Sequence, residues 1–169
     1  MLLLNFILKY REEYKMKHIA ILGKLPTKYY APFDDPDVEI WSMNKHHDEE
    51  MLPRIDKWFD LHINPEKENA DYTINNFPFE DCHKLMGRRF CTTSTYLIAF
   101  AILQGATKIS LYGMQFSPDG NYRRERELHN VREWICYCLG KGIEVEICNE
   151  DKEYLFPEHI VAENEDFDQ

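Results

Sequence analysis

Apolar and polar positions along this chain follow two periods, and the change from one to the other marks out its elements. Residues 17–23 (KHIAILG) form an apolar run closed by glycine, as in a parallel strand buried on both faces. Residues 38–44 (VEIWSMN) alternate and predict a second strand, and residues 54–62 (RIDKWFDLH) a third whose apolar positions crowd its C-terminal half. Residues 96–104 are apolar at almost every position, which predicts a helix packed against a sheet on one side and another element on the other. The hydroxyl run of residues 91–95 (CTTST) precedes it and can cap its first turn, because Ser and Thr oxygens accept from the N–H groups left free there. Gly105 closes it as a C′ glycine would. Residues 109–112 (ISLY) read as a short buried strand ended by Gly113. Leu128, Val131, Ile135 and Leu139, with Trp134 beside them, recur at helical spacing over residues 123–139, and residues 143–148 (IEVEIC) alternate as a last strand.

Between these elements, residues 29–33 carry a short helical turn, residues 65–76 read as a polar loop with weak structure, and residues 77–85 as a short helix or crossing segment. Residues 116–122 have strong turn chemistry. The order predicts an α/β protein, a single-domain Rossmann-like fold with a mostly parallel sheet flanked by helices. The runs 19–22 and 109–112 should be neighbouring central strands. Three parts are expected: an N-terminal helical extension (1–16), the nucleotide-binding domain (17–162) and a frayed acidic tail (163–169). The extension is too short and too weakly flanked for a signal peptide or a membrane span, reads as an amphipathic helix that can support self-association, and leaves Met16 as an alternative start to Met1.

With 169 residues, a net charge of −10 and a pI near 5.1, the chain suits one core and argues against nucleic acid or an anionic membrane as partner. Five cysteines (Cys82, Cys91, Cys136, Cys138, Cys148) without C-x-x-C spacing fit buried thiols in a reducing, cytoplasmic setting better than a disulfide or zinc framework. No metal is expected. His46 and His47 read as solvated surface, with no third ligand at helical spacing.

The candidate chemistry lies on loops at the carboxyl ends of the strands, where open α/β sheets hold ligands. Residues 23–27 (GKLPT) follow the first strand without the glycines of a Walker loop or a dinucleotide fingerprint. Asn44 ends the second strand, either in that crevice or capping a turn, and His62 occupies the equivalent place on the third. Thr92, Thr93 and Ser94 are either caps alone or, at the positive end of a helix, anion contacts. Gly113 ends the central strand where another group must pass close.

Residues 92–96 and 105–116 together resemble the central motif of the bacterial CMP-sialic-acid-dependent sialyltransferases of lipooligosaccharide synthesis, and of small phage-encoded proteins cut down from that fold. Weaker similarity extends over residues 19–27, 41–44 and 54–62. The resemblance implies a cytidine nucleotide held by Gly23, Pro26, Thr27, Asn44, Thr92, Thr93 and Ser94, a tyrosine at Tyr122 on the departing phosphate, and His129 as general base. Lys24 and Leu25 depart from the family's first loop, and Gln115 replaces its acidic residue. The expected nucleotide contacts are Gly23, Lys24, Pro26, Thr27, Asn44, His62, Thr92, Thr93, Ser94 and Gly113, with Tyr122 and His129 catalytic. Two functions follow: a glycosyltransferase-like protein using a CMP-type donor, or a non-catalytic viral sensor or sponge that sequesters a nucleotide-like small molecule. A scaffold with a vestigial crevice is the third reading.

Overall fold

A computed structural model describes residues 16–46, 49–67, 69–114 and 122–148, the last of these without the side chains of residues 122–124. The expected N-terminal helix and acidic tail lie outside the described residues. Strands β1 (His18–Leu22), β2 (Val38–Met43), β3 (Lys57–Asp60) and β4 (Tyr72–Thr73) are followed by helices α1 (Phe79–Met86) and α2 (Thr93–Leu103), strand β5 (Lys108–Tyr112), helix α3 (Tyr122–Gly140) and strand β6 (Glu144–Ile147). All six strands pair in parallel in the order β4-β3-β2-β1-β5-β6, giving a single-domain Rossmann-like α/β fold. The first four strands step outward from β1, and the chain then returns to lay β5 on its other side, with Ile19 opposite Ile109 and Ile21 opposite Leu111. The divide between β1 and β5 is the switch point at which such sheets open a crevice.

Alternation along each strand sends side chains to opposite faces. Ile19, Ile21, Trp41, Met43, Phe59, Ile109 and Leu111 share one buried cluster with Cys82 of α1, Leu97 to Ala101 of α2 and Leu128, Val131, Trp134 and Ile135 of α3. The three described helices therefore cover the same face. Its aromatic centre has Trp41 and Phe59 ring centroids 5.0 Å apart and Phe59 stacked on Tyr72 at 4.8 Å. The opposite face buries a smaller cluster of Ala20, Leu22, Val38, Ile40 and Tyr112 under Ala31, with Phe33 and Ile55 packed against it.

Helix α2 fixes the orientation of everything around it. Its C-terminus closes in a Schellman turn, Ala106 N–H donating to Ala101 O (3.0 Å) and Gly105 N–H to Ile102 O (3.0 Å), with Gly105 at φ 78°. The Lys17 ammonium just before β1 then reaches Gln104 O (3.0 Å), so this end lies at the amino edge of the sheet and the N-terminus of α2 at the carboxyl edge.

Two local readings change. The third strand starts at Lys57 rather than Arg54, because Asp56 Oδ2 accepts from Ile40 N–H (2.7 Å) and takes the place of a ladder carbonyl, while Arg54 donates to Val38 O. The stretch expected to be a polar loop with weak structure, residues 65–76, contains β4, a two-residue strand held by the stacking of Tyr72 on Phe59. No helix among the described residues is long and apolar enough to cross a membrane.

Candidate functional site at the carboxyl edge of the sheet

The β1 and β5 loops cross in backbone contact. Gly23 N–H donates to Tyr112 O (2.7 Å), Leu25 N–H to Gly113 O (2.9 Å) and Gly113 N–H to Thr27 Oγ1 (3.0 Å). A Cβ on Gly23 would stand 2.2 Å from Gly113 O, so only glycine permits the crossing. Gly113 itself sits at φ 66°, with Leu25 O 2.7 Å from where its Cβ would be. Gly23, Thr27 and Gly113 are thus brought together in one lock in which the Thr27 hydroxyl is an acceptor. Lys24 and Pro26 are exposed on the outside of the turn, and Pro26 opens a 3₁₀ segment (Pro26–Tyr30).

The hydroxyls that open α2 divide their roles. Thr92 Oγ1 accepts from Thr95 N–H (3.4 Å) as the N-cap, Thr95 Oγ1 donates to Thr92 O (2.9 Å), and the Thr92 and Ser94 hydroxyls lie 2.6 Å apart. Thr93 is half-buried, and the N–H groups of Thr93 and Ser94, in the first turn, have no intrahelical acceptor. The approach to this turn is gripped by α3. Asn130 Oδ1 accepts from Cys91 N–H (2.9 Å), and Asn130 Nδ2 (3.0 Å) and Trp134 Nε1 (2.8 Å) both donate to Arg89 O.

The carboxyl end of β2 carries a feature with no packing explanation. Asn44 adopts φ 59°, its N–H donates to Phe59 O (2.7 Å) and its carbonyl accepts from Trp58 Nε1 (2.8 Å), yet its buried side-chain oxygen has no partner among the described residues. Asn tolerates the left-handed region better than most residues, and an orphaned buried acceptor is the kind of group a ligand satisfies. The same turn corrects the reading of His46, which is buried rather than solvated. Lys28 Nζ, also buried, donates to His46 Nδ1 (3.4 Å), so His46 carries its proton on Nε2 and donates it to Ser42 Oγ (2.9 Å). The left-handed turn at Asn44 folds His46 back over Ser42. His47 lies outside the described residues.

Strand β3 ends in a second polar centre. Asp60 is fully buried, and its carboxylate accepts from Glu66 N–H (2.8 Å), Lys67 N–H (2.9 Å), His62 N–H (3.3 Å) and His62 Nδ1–H (2.7 Å). Burial alone would raise its pKa, but these hydrogen bonds, led by Lys67 N–H, hold it below the ordinary value. The His62 side chain is 53% exposed. Lys67 Nζ in turn donates to Glu49 Oε1 (3.0 Å) and sits 4.3 Å from the Trp58 ring centroid.

The two residues expected to do chemistry, Tyr122 and His129, both belong to α3. Tyr122 opens the helix, and its side chain lies outside the described residues, as does the loop of residues 115–121. His129 is exposed on α3, one position before the Asn130 that grips the α2 approach. Sequence reasoning missed Lys28, Ser42, Asp60 and Lys67. Of these only Asp60 left a signal, its spacing of two from a histidine at a strand end. A cavity of about 670 Å³ lined by His18, Val38, Arg54 and Asp56 opens at the opposite, amino edge. Comparison of the chain with protein-family models, with curated proteins and with solved structures gave no match.

Proposed function

We propose that the carboxyl-edge crevice binds a nucleotide or nucleotide sugar and that the chain is a glycosyltransferase-like protein using a CMP-type donor. Asn44 carries this reading: a left-handed residue at the end of β2 whose buried side-chain oxygen no described protein group satisfies. The strand order changes direction between β1 and β5, the place where open parallel sheets bind ligands, and the first turn of α2 offers N–H groups and the positive end of a helix dipole for phosphate. The resemblance of residues 92–96 and 105–116 to the sialyltransferase motif supplies the donor class.

A second reading, binding without turnover, draws support from the lock itself. Thr27 and Thr92 already direct their hydroxyl oxygens at Gly113 N–H and Thr95 N–H, which leaves fewer side chains to grip a reacting phosphate. Calorimetry with CMP, AMP and CMP-sialic acid tests the shared claim. Asn44→Gly keeps the left-handed backbone while removing the amide, and Thr93→Val removes one hydroxyl. Each should weaken binding by about 1 kcal/mol or more, the net worth of one hydrogen bond. Unchanged affinity in both variants places the ligand elsewhere.

A further inference from the structure

We propose that Asp60 and His62 form a proton-transfer dyad facing the ligand at the carboxyl edge, with His62 Nε2 as the atom that takes the proton of an attacking hydroxyl. The proposal rests on the nucleotide-sugar reading for its substrate, and on residues separate from the β1–β5 lock for its geometry.

Asp60 uses its two oxygens differently. Oδ2 accepts from the N–H groups of Glu66 and Lys67 and closes the loop that follows β3. That alone would account for a buried aspartate at this position. Oδ1, however, is directed at His62, accepting from its N–H at 3.3 Å and from Nδ1–H at 2.7 Å. An ionised carboxylate only accepts, so Nδ1 must carry the proton and Nε2 is left with a lone pair. The ring is held at one end by a fully buried carboxylate and is 53% exposed overall. A fixed tautomer, an orienting carboxylate and an open ring nitrogen are the parts of a general base. His129 has no such orienting partner among the described residues.

The step balances as follows in the nucleotide-sugar reading. The oxygen of an acceptor hydroxyl, or of water, bonds to the anomeric carbon. The bond from that carbon to the nucleotide phosphate oxygen breaks, and its electron pair leaves on the phosphate. The hydroxyl proton passes to His62 Nε2 and later to solvent.

The test uses the full chain with CMP-sialic acid, following binding by calorimetry and CMP release by chromatography, in wild type and in His62→Ala. Because His62 is half-exposed and donates only to Asp60, the variant should fold. The expected result, read at donor concentrations that saturate each protein, is CMP release lowered about a hundredfold or more, with partial recovery when imidazole is added to the buffer. A merely structural His62 would not be rescued by imidazole. Release by His62→Ala at the wild-type rate, or loss of release without rescue, overturns the dyad. Binding by wild type with no release overturns it as well and leaves the non-catalytic reading in place. Absence of binding by wild type overturns the nucleotide reading, and the dyad with it.

Discussion

Gly23→Ala is the sharpest perturbation of the lock between β1 and β5. The new Cβ would lie 2.2 Å from Gly113 O and 2.7 Å from Gly113 C, against the 3.4 Å at which ordinary contact begins. Both obstacles are backbone, so no side chain can swing aside, and the two loops must part by about 1.2 Å, the difference between those distances. Three hydrogen bonds depend on their approach: Gly23 N–H to Tyr112 O, Leu25 N–H to Gly113 O, and Gly113 N–H to Thr27 Oγ1. At about 1 kcal/mol net for each, the loss is about 3 kcal/mol. In a domain of this size that lowers Tm by about 6–12 °C. Gly105→Ala is the control, since its Cβ meets nothing within 4 Å and only the left-handed backbone (φ 78°) is penalised, by about 1–2 kcal/mol. Thermal unfolding followed by circular dichroism compares the two. A Gly23→Ala midpoint within about 2 °C of wild type, or a smaller loss than Gly105→Ala, would refute the lock.

Three further outcomes follow from the same geometry. Asn130→Ala leaves Cys91 N–H without its acceptor and Arg89 O with one donor fewer, and should cost about 2 kcal/mol in urea unfolding, whereas an unchanged midpoint would mean that α3 does not hold the entrance to α2. Asp60 has a folded-state pKa below its ordinary 3.8, so its contribution to stability is present above that value and is lost as pH falls through the lower, folded one; Asp60→Asn should flatten the dependence of unfolding free energy on pH below about 4, and equal slopes would contradict this. Burial pushes the thiols of Cys82 and Cys138 up to about 12, while Cys136 is exposed, so native alkylation at pH 8 mapped by mass spectrometry should modify Cys136 well before either; early labelling of Cys138 would contradict the packing of α3.

The parts of the fold held by continuous apolar runs were legible in the chain. Residues 19–22 and 109–112 announced two central strands because burial on both faces leaves Ser110 as the one polar residue of small size in otherwise apolar runs, and they pair as neighbours. Thr92 and Gly105 likewise declared the two ends of α2 through capping chemistry that is local in sequence. Strand β4 did not, since two residues carry no periodicity and its place depends on Tyr72 meeting Phe59 across the sheet. The polar centres were hidden for the same reason. His46 looked solvated among Lys45 and His47, and its burial arises from a left-handed turn at Asn44 and from Lys28 arriving on a different loop. His62 was visible at a strand end, but the role of Asp60 is set by N–H groups of residues 66 and 67, which a sequence pattern does not reveal.

The most direct test of a nucleotide site at the carboxyl edge is a crystal structure of the chain soaked in turn with CMP and AMP. The account predicts phosphate oxygens on the N–H groups of Lys24 and of residues 93–94, and a ligand donor on the Asn44 side-chain oxygen. Density confined to the amino-edge cavity beside His18, Arg54 and Asp56, or no bound nucleotide at millimolar concentration, would contradict it.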